Sequence, residues 1–344
     1  MRFSQQKEVA VLVLNWNGRT LLQQFLPSWL AHTPDYADLI IVDNGSTDDS
    51  VSFLQEHYRD VHLLAFEENL GFAGGYNRAI EELDYQTVIL LNSDVELTSG
   101  WLDQPMQLLN SSPEIAAVQP TLRAQRSPKD FEYAGAAGGF IDRLGYPFCR
   151  GRIFDTIEED RGQYTDSVDL FWASGACLII RRAVYREVGG LDTLFFAHQE
   201  EIDLCWRLNA RGWRIVSAPQ SIVYHVGGAS LSADSPRKVF LNFRNNLLMI
   251  YKNLPAPTLH RVLFARMILD LVAMLVYLLR LRPGQAASVL KGWRCFLIKR
   301  QRYESTRQEN LKKTVRPISP ELMKPYSLLF QYYFKGRKRY SDLP

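Results

Sequence analysis

Three carboxylates fall within four positions of the segment FFAHQEEIDLCWRL, residues 195–208: Glu200, Glu201 and Asp203. Carboxylates placed so closely suit proton removal from a hydroxyl, the work of a general base. They also suit the first turn of a helix, where acids complement the positive end of the dipole. The residues that follow fit a helix: Leu204, Cys205 and Leu208 supply an apolar stripe, Arg207 and Arg211 suit the negative end, and Gly212 stands where a C-terminal cap belongs. A helix start needs only one or two acids. Glu200 and Asp203 would share a face while Glu201 points about 100° away, so two acidic faces suggest two jobs. A fourth acid, Asp94, ends the apolar run VILLNSD. A carboxylate there is costly unless paired or bound to metal, and a hard divalent cation able to neutralise a diphosphate leaving group is its natural companion.

The elements that must position these groups alternate strand and helix. EVAVLVLNW reads as a buried strand and RTLLQQFLPSWLAH as an amphipathic helix; ADLIIVDNGSTDDSV is a strand ending at Asp43 and turning into a helix over 48–58. VHLLAFEENLGFAGGYNRAIEEL repeats the unit, and TVILLNSDVEL is a further strand. Such repeats, with strands hydrophobic on both faces, predict a parallel sheet covered by helices and a ligand site at the strands' carboxyl ends. Polar, glycine-containing stretches fall at those ends: LNWNG with Asn15 and Asn17, VDNGSTD with Asp43, Asn44 and Ser46, ENLGFAGGYN with Asn69, Gly71, Gly74, Gly75 and Asn77, and LNSD with Asn92 and Asp94. Taken singly, Asn15, Asn17 and Asp43 could make Asx-turns, Ser46 could cap a helix and the glycines could serve the backbone; their convergence argues for a site. GFAGG is not the dinucleotide fingerprint G-x-G-x-x-G, and no P-loop lysine is present.

The chain has 344 residues, 47% of them hydrophobic, enough for one large core or two smaller ones. Cys149, Cys177, Cys205 and Cys295 are widely spaced and read as reduced core residues of a cytosolic protein. No apolar signal-peptide segment follows the polar start MRFSQQKE, so the globular part is expected to stay where it is made. The net charge of +3 hides an asymmetry: residues 237–344 carry 22 Lys/Arg against 5 Asp/Glu, so that part is +17 and the rest −14. An acidic body with a basic tail suggests an anionic partner for the tail.

In that order, VLVLNWNG, IIVDNGSTDDS, NLGFAGGYNRAI, LLNSDVEL, WASGACLIIRR, VGGLDTLFFAHQEEIDLCWRLNARGW and YHVGGAS span roughly residues 8–230 and resemble the family 2 glycosyltransferases, most of all their bacterial rhamnosyltransferase-like branch. The resemblance implies a GT-A fold, a Rossmann-like mixed α/β sheet, over residues 1–235, with a nucleotide-sugar half at about 8–100 and an acceptor half at about 101–235, and a basic helical extension over 236–344. It implies an inverting, metal-dependent transfer from a nucleoside-diphosphate sugar, dTDP-rhamnose or a UDP-sugar, to a glycan or a polyprenyl-diphosphate-linked saccharide of the cell surface. Asn15 and Asn17 would line the nucleotide pocket and Asp43 accept a hydrogen bond from the base. Asn69, Gly71, Gly75 and Asn77 would lie along the ribose and diphosphate. NSD occupies the family's D-x-D position, so Asp94 would hold Mg²⁺ or Mn²⁺ with His225 of YHVGGAS, and Asn92, an amide where the family has an acid, would touch metal or ribose. HQEEIDL stands where the family has E-D-x-D-L, which places Glu201 as the base with Glu200 its rival, and Asp203 at the helix start or paired with Arg207. Trp172 would offer a sugar its apolar face, and Ser174 or Gly175 would approach substrate by backbone.

Beyond YHVGGAS the pattern becomes helical, over 237–255, 258–281 and 284–300. The middle helix is apolar but interrupted by Arg266 and Asp270, so an interfacial amphipathic helix followed by the basic stretch KGWRCFLIKRQRY fits better than a membrane span. A packed subdomain or a homodimer contact is the plainer alternative. FKGRKRY near the end would add an electrostatic anchor or be solvated. These features predict an enzyme held peripherally at the inner face of the cytoplasmic membrane. Two other classes compete. A nucleotidyltransferase should carry a basic phosphate loop, which LNWNGRT lacks; a non-catalytic nucleotide-sugar or carbohydrate-binding protein would accommodate Asn92 and Glu201. A nucleic-acid partner is not expected, since the basic tail contains no recognisable binding module.

Overall fold

The computed structural model describes residues 7–227 and 235–344; Gly228, Ala229 and Ser230, the end of the YHVGGAS motif, lie outside the described residues. The chain runs β1 (Val9–Asn15), α1 (Arg19–His32), β2 (Ala37–Asn44), α2 (Ser50–His57), β3 (His62–Phe66), α3 (Gly71–Glu82), β4 (Thr87–Asn92), β5 (Val95–Glu96), α4 (Asp103–Ser111), β6 (Ile115–Ala124) and β7 (Ser127–Phe131). There follow β8 (Gly139–Asp142), β9 (Pro147–Cys149), β10 (Arg152–Ile153), β11 (Thr156–Ile157), β12 (Cys177–Arg181), α5 (Arg182–Glu187), α6 (Glu200–Ala210) and β13 (Arg214–His225). The last third holds α7 (Pro236–Asn253), α8 (Ala256–Leu279), α9 (Pro283–Lys299), α10 (Glu304–Lys312) and β14 (Met323–Lys324).

The main sheet has the order β3-β2-β1-β4-β12-β6-β13-β5, with β7 on the side of β6. Its first four strands are parallel, as two-sided hydrophobic runs require. Val9, Val11 and Val13 pack against Leu22, Phe25 and Trp29 of α1, whereas Ala10 and Leu12 pack against Tyr76, Ala79 and Ile80 of α3. Beyond β4 the sheet becomes mixed, with β12 antiparallel to both β4 and β6. The register brings the polar strand ends level: Asn15 pairs with Asp43, Leu14 with Asn92, and His225 with Val95.

A second sheet, β11-β10-β9-β8-β14, is not legible in the sequence. Its last strand comes from the C-terminal tail and pairs parallel with β8, Met323 opposite Ile141. The buried Asp142 carboxylate accepts from the Leu328 amide at 2.8 Å and fastens the tail there. In FKGRKRY, Tyr340 packs on Phe140, and Lys338 lies 3.5 Å over the Tyr332 ring.

The helices of the basic part form close to the expected positions, and α7 is continuous with the catalytic core: Leu247, Leu248, Met249 and Ile250 share one apolar cluster with Tyr76 and Phe195. Arg266 and Asp270, which interrupt the apolar run of α8, are both buried and face each other at 3.4 Å.

Helix α6 is buried nearly all round rather than along one stripe. Asp203 accepts from Arg207 at 3.0 Å, from Lys252 of α7 at 2.8 Å and from Asn253 at 2.9 Å, and Lys252 also reaches Asp192 at 2.6 Å. Burial alone would raise the Asp203 pKa, but Lys252 and Arg207 hold it below the usual carboxylate range, so it stays ionised. Lys252 is 1% exposed, so its removal takes a buried ammonium from Asp192 and leaves Asp203 to Arg207 and Asn253. Lys252→Met is expected to cost about 3 kcal/mol of unfolding free energy or more, read as a lower urea midpoint.

Candidate active site

The carboxyl ends of β1, β2 and β4 form one polar rim. Asn15 donates to Asp43 at 2.9 Å and to Ser46 at 3.3 Å, and Ser46 Oγ donates to Asp43 at 2.6 Å. The Asn17 amide binds Ser46 Oγ at 2.9 Å, while its side-chain oxygen accepts from the Thr47 amide at 2.7 Å. These bonds lock LNWNG against NGSTD, yet Asn15 Oδ1 stays buried without a partner. Beside them the Trp16 indole is 55% exposed, a flat surface that sequence reading passed over. Asn44 donates to Asn69 at 3.0 Å and to the Gly71 carbonyl at 3.1 Å, and accepts from the Leu70 amide at 3.1 Å. The start of α3 is thereby pinned to the end of β2. Two glycines make this approach possible: a Cβ on Gly45 (φ +71°) would meet the Glu68 backbone at 2.4 Å, and one on Gly75 would meet Leu14 at 2.7 Å.

Across the sheet, β5 and β13 bring Asp94 and His225 together at 3.0 Å between Oδ1 and Nε2, both nearly buried. Glu132 lies 3.4 Å from the other ring nitrogen, within ion-pair reach, although that nitrogen has no hydrogen-bond partner. Burial opposes charge on His225, but Asp94 and Glu132 outweigh it and carry the pKa up to about 10. Sequence reading missed Glu132, an acid in DFEYAG that no motif marks. Carboxylate oxygen and imidazole nitrogen on adjacent strand ends fit a divalent ion of the Mg²⁺/Mn²⁺ type, loaded with loss of the imidazole proton. Among the described residues no cluster of three or more His, Cys, Asp or Glu forms a full cage, so further positions would fall to substrate oxygens and water.

The acidic segment stands at the third corner. Phe196, His198 and Gln199 have φ of +68°, +70° and +74°, so the chain enters α6 through three left-handed residues, a costly backbone that surrounding contacts must hold. One side chain of α7 does most of this: Asn245 Nδ2 donates to the carbonyls of Phe195, Ala197 and His198 at 3.0, 2.9 and 2.8 Å. Its neighbours assist, Arg244 binding the Phe195 carbonyl at 2.7 Å and Asn246 reaching Gln199 at 3.2 Å. The signal was present as three polar residues, RNN, inside the apolar helix NFRNNLLMIY.

Glu200 is 5% exposed and Glu201 half-buried, and each has an Oε2 shielded from solvent without a hydrogen-bond partner, as has His198 Nε2. Burial pushes Glu201 up to about 7; burial and the neighbouring Glu201 charge push Glu200 well above its ordinary value. Gly175 adjoins Glu201, since a Cβ there would stand 3.7 Å from the Glu201 Cβ and 3.3 Å from Phe72. The Asn92 amide binds the Ala176 carbonyl at 3.0 Å, and Gly71 faces Phe196 of the strained loop. The four strand-end motifs and the acidic helix therefore meet.

Three expectations are corrected. Asn77 turns from the rim to knit α3 to the Leu191 backbone, donating at 2.8 Å and accepting at 3.0 Å, so its amide is spent on structure. Trp172 is 2% exposed, its ring against Gly139 and its Nε1 on the Phe140 carbonyl at 2.9 Å, which leaves no face for a sugar. Asp203, one of the three acids weighed for proton removal, is fully enclosed and takes instead the pairing with Arg207 also expected of it, together with Lys252, so it is not placed to touch a substrate.

Residues 10–189 match the family described as Glycosyl transferase family 2. The chain is 28% identical over 242 residues, 65% of its length and 78% of the relative's, to the N-acetylglucosaminyl-diphospho-decaprenol L-rhamnosyltransferase of Mycobacterium tuberculosis. It is 21% identical over 251 residues, 70% of its length and 75% of the relative's, to a low-salt glycan biosynthesis hexosyltransferase of Haloferax volcanii. Among solved structures, S. aureus TarS in complex with UDP-GlcNAc superposes with a TM-score of 0.55 at 14% identity, covering 89% of this chain and 88% of that one. The Pyrobaculum calidifontis mannosyltransferase in complex with GDP-Man and Mn²⁺ gives 0.52 at 14% identity, covering 91% and 87%. These likenesses establish the GT-A fold.

Asn245→Ala removes the amide that holds the left-handed loop. It is expected to destabilise the protein by about 2 kcal/mol and to speed hydrogen exchange across residues 196–201 while leaving β1 and β2 protected.

Proposed function

Because the chain belongs to glycosyl transferase family 2, we propose that it moves a sugar, with inversion at the anomeric carbon, from a nucleoside-diphosphate sugar to a hydroxyl of a polyprenyl-diphosphate-linked saccharide. The observation that carries this reading is the pair of unpartnered Glu200 and Glu201 oxygens at the start of α6, where Glu201 adjoins Gly175. The mycobacterial relative's name supports rhamnose as the sugar moved and a lipid-linked N-acetylglucosamine as acceptor; dTDP-rhamnose is the donor on this reading, with a UDP-sugar as the alternative. Reaction on such an acceptor belongs at the cytoplasmic face of a membrane.

On this reading Asn15, Asn17 and Ser46 frame the base pocket, with Asp43 accepting from the base. Asn44, Asn69, Gly71 and Gly75 shape the passage for ribose and diphosphate, and Asn92 faces the ribose. Asp94 and His225 would hold Mg²⁺ or Mn²⁺, which when bound supplies positive charge to the departing diphosphate. Glu201 takes the proton of the acceptor hydroxyl as that oxygen bonds to the anomeric carbon; the bond to the diphosphate breaks and its electron pair leaves with the nucleoside diphosphate. The two glutamates titrate as a pair. Glu201, the more exposed of the two and the one that adjoins Gly175, acts as the base on this reading.

A panel of nucleotide sugars, assayed with and without Mg²⁺ or Mn²⁺ and with lipid-linked acceptors, tests this. One donor should turn over with metal, Glu201→Gln should fall by about a thousandfold, and Asp94→Ala should lose metal-dependent turnover. Donor binding by calorimetry without turnover would sink the reading in favour of a binding protein. The base acts ionised, so wild-type kcat/KM should climb with pH to a plateau above an apparent pKa near 7, the value to which burial raises Glu201.

A further inference from the structure

Helix α8 is 24 residues long with mean hydropathy of 2.3 over its most apolar window, yet only 17% of that window is buried in the protein. Its two faces differ completely. The inner face holds Leu259, Val262, Arg266 and Asp270; Asp270 accepts from Trp293 of α9 at 3.0 Å, and Arg266 donates to the Leu144 carbonyl at 3.1 Å and to Asn246 of α7. The outer face presents Phe264, Ile268, Leu271, Val272, Leu275 and Leu279, from 42% to 84% exposed. At 100° per residue these fall in one stripe about 100° wide. Leu281, just beyond the helix, is 88% exposed.

A helix whose charged pair is bonded to protein on one side cannot be ringed by lipid, so α8 does not span a bilayer. A stripe this apolar is also too large to leave in water. The charges around it say what covers it. Residues 256–303 contain nine Lys/Arg and a single acid, Asp270, which faces Arg266 inside the protein. Arg261 and Arg280 stand exposed near the two ends of the stripe, and on α9 Lys291 and Arg294 lie exposed beside exposed Leu290 and Leu297. A second copy of this surface would bring like charges together; anionic lipid headgroups complement it.

We propose that the outer face of α8, flanked by the basic face of α9, lies in the headgroup layer of an anionic bilayer as a monotopic docking surface. Side chains of the stripe enter the acyl boundary and the arginines pair with phosphate. The inner face joins this surface to the site, because Arg266 binds Asn246, which reaches Gln199 at the entrance to α6. The surface rests on the proposed lipid-linked acceptor only for its use, not for its existence.

Co-sedimentation of the full chain with phosphatidylglycerol-containing vesicles at low salt is the test, with phosphatidylcholine vesicles alongside and donor hydrolysis measured in every sample. Wild type should pellet with the anionic vesicles, less so with phosphatidylcholine or at high salt. Phe264→Ser combined with Leu275→Ser should weaken partitioning by about tenfold or more at an unchanged hydrolysis rate, and Arg261→Glu with Arg280→Glu should abolish the preference for anionic lipid. A wild type that stays in the supernatant overturns the proposal, as does a dimer by light scattering that the double serine variant dissolves into monomers. Hydrolysis reports separately: its absence in protein that pellets would count against the transferase reading and leave the docking surface standing.

Discussion

The buried Asp203 carboxylate is the constraint on which the rest of the site depends. An ionised group with no solvent must have its charge met by protein, and here Arg207 comes from its own helix and Lys252 and Asn253 from α7. Meeting that charge fixes α6 against α7 in rotation and depth. Glu200 and Glu201, in the same first turn of α6, inherit the orientation. The enclosed acid thus orients the two before it, and the acidic cluster divides along the helix: Asp203 is held ionised by Lys252 and Arg207, whereas burial raises the pKa of Glu200 and Glu201.

The strained loop before α6 follows the same logic at the level of the backbone. Three left-handed residues, Phe196, His198 and Gln199, would relax if released, and the Asn245 amide spans three of the loop's carbonyls. Such a loop lets the chain turn sharply from the core out to the rim and back into a helix within a few residues. The raised pKa of Glu201 is a consequence of the same enclosure, since burial is its largest cause. Geometry and acidity therefore have one source.

The parallel half of the sheet was legible in the sequence because two-sided apolar runs and polar, glycine-bearing ends are local patterns. The strand ends carrying Asn15, Asp43 and Asn92 follow from them directly, and the register adds only which ends are neighbours. The family assignment and the GT-A fold expected from the seven ordered motifs are upheld. What was hidden depends on contacts far apart in the chain. Glu132 is an unremarkable acid until β6 and β13 bring His225 to it, and Trp172 reads as a sugar platform until its ring is seen filling the space over Gly139. Asn77 follows the glycine motif as a ligand would, yet the Gly190–Leu191 turn, 114 residues on, takes its amide. The second sheet escaped notice because its strands are two to four residues long and its last member comes from the tail.

The dependence of the acidic loop on α7 also sets a timetable for the growing chain. The parallel half of the sheet draws its strands and covering helices from the first hundred residues and can begin to assemble while the rest is still being made. Arg244, Asn245, Lys252 and Asn253 arrive far later, and Asn310, which donates to Asn253 at 3.0 Å, later still. At about 5–20 residues per second the ribosome works for several seconds between emergence of Glu201 and of its last support. A nascent chain can thus align its parallel strands before the acidic loop beside them is set.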